Sequence, residues 1–164
     1  MVLQLGRTLR FGPQPSYLAL WKIAGLHRLD DWEDYFGGKD WYDNTRSQAM
    51  HRSIHIQRAG LYREMIEGPT PSEGVQVVEF FDAENIDDTE VTESFSKRAE
   101  KFSHATLNWL LLRIGVYGPD PAHLAVWTFP TYKDMDTFLP DQNVAAGITI
   151  QTAGIYRMLG REIL

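Results

Sequence analysis

The chain has 164 residues, of which 43% are hydrophobic and 12% aromatic, so it can bury a sizeable core, and disordered or collagen-like structure is excluded. It has no cysteine, which excludes disulfides and thiolate metal sites and favours a reducing, cytoplasmic setting. A net charge of −6 disfavours nucleic acid as a partner, and every apolar stretch is far shorter than the roughly 20 residues of a membrane-spanning helix.

Two pairs of segments within the chain are similar to each other. Residues 12–21 and 118–127 are identical at six of ten positions, and residues 54–63 and 148–157 at seven of ten. Unrelated segments share on the order of one position in ten, so chance does not explain both matches. We therefore predict that one supersecondary unit occurs twice, in an N-terminal copy that covers residues 1–67 and a C-terminal copy that covers residues 75–164.

The first copy is predicted to contain a hairpin, a helix and a closing strand. A strand over residues 7–11 leads into the Gly-Pro-Gln-Pro turn, where proline fixes φ and removes a backbone donor, and a second strand covers residues 17–23. Residues 29–36 have apolar side chains at positions i, i+3 and i+7, which predicts a short amphipathic helix. The closing strand is expected over residues 54–63.

The second copy is predicted to contain more elements than the first. Its helix is the best marked, because Val91, Phe95, Ala99 and Phe102 form one apolar stripe and Asp87 starts a capping box with Glu90. The predicted elements are strand 75–82, helix 88–103, strand 110–117, strand 123–129, a short helix 132–139 and strand 148–157. This order is ferredoxin-like, which predicts an α+β fold with an antiparallel sheet. Residues 68–74 have the composition of a linker between the copies.

Both faces of the predicted central strands are apolar. In residues 123–129 one face carries His123, Ala125, Trp127 and Phe129, and the other carries Leu124 and Val126; residues 17–23 follow the same pattern. A sheet with one face in water would alternate apolar with polar residues, so the second face must also be covered. Another sheet, packed face to face or closed into a barrel, would cover it.

With two ferredoxin-like units, two-sided strands and a terminal Gln-x-Ala-Gly-x-Tyr-Arg strand, the chain resembles the dimeric α/β-barrel superfamily. The superfamily includes polyketide monooxygenases, muconolactone isomerases and haem-binding chlorite dismutases. The resemblance implies ferredoxin-like antiparallel sheets in tandem, in a barrel-type arrangement. The first copy lacks the opening strand and the long helix, unless Val2 to Leu5 supplies a vestigial strand. A homodimer is therefore expected to complete the barrel.

Comparison of the two copies separates candidate catalytic residues from structural ones. Trp21 and Trp127 are identical in the two copies, as are the Gln, Gly and Tyr of the closing strands, which we interpret as fold-forming residues; the Ala-Gly pair there is expected to mark a β-bulge. His123 replaces Tyr17, and His55 stands where the second copy has threonine. We predict that His123 and His55 act as acid or base and that Tyr17 donates a hydrogen bond. The alternative for each histidine is a structural bond to backbone.

The substrate-binding residues are predicted from aromatic surface and from an insertion. The first copy has a dozen extra residues between its helix and its closing strand, within residues 37–52. This insertion is either a lid that clamps an aromatic or anionic molecule or a contact with a dimer mate. The predicted substrate-binding residues are Trp21, Trp127 and Phe129 as walls, with Trp41, Tyr42 and Arg46 from the insertion. No group of residues has the spacing of a metal site.

The resemblance implies a cytoplasmic small-molecule enzyme without a tightly bound cofactor. It would catalyse proton-transfer chemistry, as a cyclase, isomerase or decarboxylase (a lyase or isomerase), or act as a cofactor-free monooxygenase, on an aromatic or polyketide-like compound. One alternative is a haem protein of the same fold. The other is a non-catalytic module for small-molecule binding or interaction. The expected partners are a small organic molecule and a second copy of the chain, without nucleic acid or membrane.

Overall fold

The structure is a computed structural model that describes residues 2–7, 17–22, 60–71, 73–115, 120–139, 141 and 143–162. These residues form seven strands, one α-helix and one 3₁₀ turn. The elements are β1 (Val2–Arg7), β2 (Tyr17–Trp21), β3 (Tyr62–Glu67), β4 (Val75–Ala83), α1 (Asp88–Lys101), β5 (Thr106–Arg113), β6 (His123–Phe129), the 3₁₀ turn (Lys133–Met135) and β7 (Ile148–Glu162).

All strand pairs are antiparallel, in the order β2-β1-β7-β4-β6-β5-β3, which confirms the α+β class. Because β4 and β5 both run antiparallel to the strand between them, β6, they are parallel to each other. With α1 as their connection they form a split β-α-β unit. In the same way β6 and β7 flank β4. Strands of both predicted copies belong to this one sheet.

Helix α1 begins and packs as its sequence predicts. The side chain of Asp87 accepts a hydrogen bond from the backbone of Glu90, the side chain of Glu90 reaches back to the backbone of Asp87, and the capping box is confirmed. The predicted stripe faces the sheet, with Val91 and Phe95 fully buried. Within the described residues, no helix combines the length and the apolar character needed to cross a membrane.

Two predicted elements of the second copy differ from the structure. The helix expected over residues 132–139 is a 3₁₀ turn, in which residues three apart share a face, so Met135 and Phe138 are still buried as the pattern predicted. The strand expected over residues 110–117 is β5, four residues earlier at each end. It starts directly after the turn that ends α1, and the chain leaves the sheet before Gly115, whose φ of +56° does not fit a strand.

The two hairpins pair in equivalent registers. Leu3 lies opposite Leu20, and Leu5 lies opposite Leu18, in the pair β1 and β2. The sequence match aligns residue 12 with residue 118. With the same alignment, these two pairs correspond to Trp109 with Val126 and to Leu111 with Leu124, and both of these pairs occur between β5 and β6. The alternative in which Val2 to Leu5 is an opening strand is therefore wrong, since β1 is the hairpin partner of β2.

The closing strands pair reciprocally between the two halves of the chain. In the first half Tyr62 of β3 lies opposite Arg113 of β5, and in the second half Tyr156 of β7 lies opposite Arg7 of β1. Both pairings are interrupted by a bulge, which skips Met65 in β3 and Leu159 in β7. These positions are equivalent in the sequence match, so the closing strand of each half pairs with the hairpin of the other in one shared geometry.

Both faces of the sheet are buried, as the alternation predicted. The face under α1 packs Val77, Phe81, Trp127 and Phe129 against Phe95 and Phe138. The opposite face buries a second cluster: Val78, Trp109, Leu124, Val126 and Tyr156, with Leu18, Leu20, Tyr62, Phe80, Leu111 and Met158 around them.

The sheet is strongly curved, because its two edge strands meet in this second cluster. Adjacent strands lie about 4.8 Å apart, so six spacings would separate β2 from β3 by roughly 29 Å in a flat sheet. Instead Leu18 of β2 and Tyr62 of β3 belong to one cluster, and Lys22 Nζ lies 2.9 Å from Glu64 and 2.5 Å from Glu67. Among the described residues no strand pairs with the outer edge of β2 or β3, so the curved sheet is open there.

Candidate functional site

A buried ion pair lies between the sheet and α1. Glu79, on β4, is 3% exposed, and Arg98, on α1, is 4% exposed. The Nη1 group of Arg98 donates to Glu79 Oε2 at 2.6 Å, and the indole Nε1 of Trp127 donates to the same oxygen at 2.9 Å. Both hydrogen bonds that the described residues give this carboxylate end at Oε2, which leaves Oε1 for another partner.

The sheet makes room for this pair through small residues. In the register of β4, Glu79 lies opposite Ala125 of β6 on one side and Ala153 of β7 on the other. Cross-strand neighbours share a face, so two methyl groups flank the carboxylate where bulkier side chains would fill the space. Arg98 reaches the space because it lies three residues after Phe95 on the buried stripe of the helix.

Aromatic rings and a main-chain carbonyl hold the guanidinium of Arg98. Its carbon Cζ lies 4.2 Å from the ring centre of Phe138 and 5.5 Å from that of Trp127. Its Nη2 group donates to the carbonyl oxygen of Asp141 at 2.8 Å. Its Nε is buried and has no hydrogen-bond partner among the described residues. Stacking fixes the plane of the guanidinium and therefore the directions of its N–H groups.

Burial raises the pKa of the Glu79 carboxyl above its ordinary value of 4.5. The positive charge and hydrogen bond of Arg98 and the hydrogen bond from Trp127 oppose this shift, while the negative charge of Asp141 adds to it. Replacing a buried ion pair with apolar residues is often neutral or stabilising, so stability alone does not explain the pair. Shifted pKa values of buried carboxyls occur both at proton-transferring sites and in structural ion pairs, so the geometry around Glu79 decides what it can do.

A groove of about 420 Å³ lies between α1 and residues 143–145, next to the ion pair. Arg98 belongs to its wall, and Glu79 lies behind Arg98 without lining the groove. Its lining residues are Glu90, Glu93, Ser94, Lys97, Arg98, Lys101, Asn143, Val144 and Ala145.

His123 lies in a separate cleft of about 400 Å³ at the end of β4, β5 and β6, with Asp82 and Arg113 among its neighbours. The backbone N–H of Arg113 donates to His123 Nδ1 at 3.0 Å, so the neutral ring carries its proton on Nε2. Burial lowers the pKa of His123 below 6.5, against the opposing charge of Asp82. In this state the Nε2–H group of His123 can donate a hydrogen bond. The bond from the backbone of Arg113 is the structural role that the sequence offered as the alternative to an acid or base role.

The structure does not bring the other predicted site residues into one described cavity. Trp127 and Phe129 are fully buried in the core beneath α1, which is the fold-forming position. Tyr17 and Trp21 begin and end β2. The remaining predicted residues, His55, Trp41, Tyr42 and Arg46, lie outside the described residues.

Sequence analysis missed Glu79 and Arg98, although both carry a signal. Glu79 interrupts the apolar face Val75, Val77 and Phe81 of a strand, and Arg98 falls on the apolar stripe of a helix. A charged residue at an inward position of each of two packed elements predicts a buried pair.

No cluster of three or more histidine, aspartate or glutamate side chains in the described residues could hold a metal ion. Comparison with protein-family models, curated proteins and solved structures finds no match. The Glu79 and Arg98 pair is therefore the candidate functional site.

Proposed function

We propose that the protein is a small-molecule enzyme that transfers protons without a tightly bound cofactor, with Glu79 as its acid or base. One observation carries the proposal: Glu79 is buried against Arg98, which lines a groove, and Glu79 has a raised pKa and both of its hydrogen bonds on one oxygen. Oε1 would take a proton from an acidic C–H group and return it, while the donors on Oε2 keep the carboxylate oriented.

The proposed substrate is an aromatic or polyketide-like compound, because conjugation makes its C–H or O–H groups acidic enough for a carboxylate to deprotonate. The rings of Trp127, Phe95 and Phe138 pack together on the same side of the sheet as Glu79, with 5.0 Å between the ring centres of Trp127 and Phe138, but they belong to the buried core and do not line the groove.

We further propose that the two halves of the chain form a barrel-type arrangement of the dimeric α/β-barrel kind. The equivalent registers of the two hairpins and the reciprocal pairing of β3 with β5 and of β7 with β1 support it. Among the described residues, the first half has no strand equivalent to β4. Such a strand would lie between β2 and β3, the two edges of the sheet. Sedimentation equilibrium tests the expected homodimer, which a monomeric mass would exclude.

Solvent exchange of an activated C–H group tests the proton-transfer function. Proton NMR in D₂O follows loss of the methylene signal of phenylacetone, an aromatic ketone with slow background exchange. We expect the protein to accelerate this exchange and Glu79→Gln to reduce the acceleration by at least about tenfold, because the amide cannot accept the proton. Glu93→Gln, in the groove wall, is the matched control and should retain the rate within about twofold.

A second candidate, a non-catalytic binding or interaction module, is favoured by the filled second face of the sheet. Binding of the ketone without faster exchange in the folded protein would support this candidate and exclude the enzyme. A Soret band in the absorption spectrum of the purified protein would support the haem alternative instead.

A further inference from the structure

On one edge of the Arg98 guanidinium, only one of the two N–H groups has a hydrogen-bond partner among the described residues. Its Nε–H and Nη2–H groups point from the same edge of the planar group, in the spacing that matches the two oxygens of a carboxylate. Nη2 donates to the carbonyl oxygen of Asp141, and Nε has no partner among the described residues, although Arg98 is 4% exposed. The opposite side of the guanidinium is already committed, since Nη1 binds Glu79.

A carboxylate would satisfy this edge better than its present partner. The main-chain carbonyl of Asp141 is a single neutral acceptor, whereas a carboxylate offers two charged oxygens and would bind Nε and Nη2 together. An unsatisfied buried N–H is costly, so the edge favours a ligand that pairs with it. The stacked ring of Phe138 holds the guanidinium in the plane that such a bidentate contact requires.

The groove provides the route and part of the charge. Three basic residues, Lys97, Arg98 and Lys101, line it against two acidic ones, Glu90 and Glu93. Lys97 pairs with Glu93 at 3.5 Å, and Lys101 pairs with the side chain of Asp141. Binding of a ligand oxygen to Nη2 would displace the carbonyl oxygen of Asp141 from it.

We propose that the ligand of this protein carries a carboxylate group that binds Nε and Nη2 of Arg98 in place of the Asp141 carbonyl. The inference deepens the proposed function, on whose site it rests, because it names the substrate class as an aromatic carboxylic acid. The carboxylate anchors the molecule on one side of Arg98, and the reacting C–H group lies towards Glu79 on the other side.

This contact couples binding to protonation of Glu79. The charged groups that face Glu79 are Arg98 from α1 and Asp141 from the segment before β7; β6 contributes the Trp127 indole, and β7 contributes Ala153. A bound carboxylate shares the positive charge of Arg98 and brings a second negative charge near Glu79, so it favours the protonated acid. Binding should take up a proton, and the affinity should fall as the pH rises above the pKa of Glu79 in the free protein.

Calorimetric titration at constant ionic strength tests the proposal, with benzoate as the probe and benzamide as its uncharged counterpart. We expect benzoate to bind at least about tenfold more tightly than benzamide, and Arg98→Lys to weaken benzoate binding by about tenfold or more, because lysine lacks the fork. Lys133→Gln, which removes the same charge from an exposed residue outside the groove, is the matched control and should change the affinity by less than about threefold. Titrations in phosphate and in Tris should reveal proton uptake from their different ionisation heats.

A measurement on the wild-type protein covers the case in which Arg98→Lys does not fold. In ¹⁵N NMR spectra the Nε–H signal of Arg98 should move as benzoate is added and stay in place with benzamide. An Nε–H signal that stays in place at saturating benzoate, equal affinities for benzoate and benzamide, or undetectable benzoate binding would each overturn the proposal. Benzoate binding at Arg98 without catalysed exchange of the methylene protons of phenylpyruvate, an aromatic keto acid that carries the carboxylate, would refute the proton-transfer function and leave this inference intact.

Discussion

Both faces of the sheet bury apolar side chains, but the two faces differ in their buried polar groups. Beneath α1 the core encloses an ion pair, Glu79 with Arg98, with one guanidinium N–H unsatisfied. On the opposite face, Thr128 Oγ1 donates to Asn108 Oδ1 at 2.7 Å, and Asn108 Nδ2 donates to Pro69 O at 2.6 Å. Hydrogen-bonded neutral groups such as these are typical of structural packing, whereas a buried ion pair is often no more stable than apolar residues in its place. The helix side is therefore the face on which the proposed site lies.

The largest expected effect comes from breaking the charged pair on the helix side. Arg98→Met should destabilise the protein by about 3–5 kcal/mol near neutral pH, because it leaves the Glu79 carboxylate buried without a counter-ion. The double variant Glu79→Leu with Arg98→Met should recover most of this loss. Urea unfolding of the three proteins measures both effects. If the double variant is as unstable as the single one, the pair is needed for folding and its functional assignment weakens.

Truncation of one leucine on each face compares how much burial on that face contributes to stability. Leu110 belongs to the core under α1 and is fully buried, and Leu124 belongs to the opposite cluster and is 3% exposed. We expect Leu110→Ala and Leu124→Ala each to cost about 2–5 kcal/mol of unfolding free energy, because each leaves a cavity. A cost below about 0.5 kcal/mol for Leu124→Ala, in the same denaturation experiments, would show that the second face is open to solvent.

A smaller effect is expected at Gly154, and it corrects one prediction from the sequence. The Ala-Gly pair was expected to form a β-bulge, but Ala153 and Gly154 pair regularly with β4, and the bulge skips Gln151. A Cβ at Gly154 would lie 2.5 Å from the ring of the fully buried Tyr156, so the glycine is required by the ring that lies over it.

Gly154→Ala should therefore cost about 1–3 kcal/mol through overpacking, and Tyr156→Leu in the same chain should relieve part of the cost. Gly60→Ala provides the comparison between the two copies. It should cost less, because Tyr62 is partly buried and its ring is freer to move. Thermal melts of the three variants and the wild-type protein measure the series, and an equal loss at both glycines would contradict the difference in packing.

The smallest effect is the pH dependence contributed by His123. Burial lowers the pKa of His123 in the folded protein below 6.5, so between the two pKa values the unfolded chain binds more protons. Stability from this group is complete above about pH 6.5 and declines as the pH falls towards the folded pKa. We expect His123→Gln to reduce the difference between melting temperatures at about pH 7.5 and about pH 5.5. An unchanged difference would show that His123 titrates alike in both states.

Much of the fold could be predicted because its signals are local. The capping box at Asp87 and the stripe that follows it define α1 from contacts within a few residues, and the alternation in residues 123–129 reports which side chains share a face. The short helix after β6 was predicted wrongly because apolar residues three apart suit a 3₁₀ turn as well as an α-helix. The sequence also did not show that Phe138 packs on the guanidinium of Arg98.

The sequence by itself determined the repeated segments, the helix and the dryness of both sheet faces, because composition and periodicity record burial directly. Tertiary structure decided the site. Glu79 and Arg98 are 19 residues apart in the chain, and they meet because α1 crosses over the sheet to connect β4 with β5. The same is true of the reciprocal strand pairing, since a sequence repeat predicts two similar units, but the register in which one unit pairs with the other depends on contacts between residues far apart in the chain.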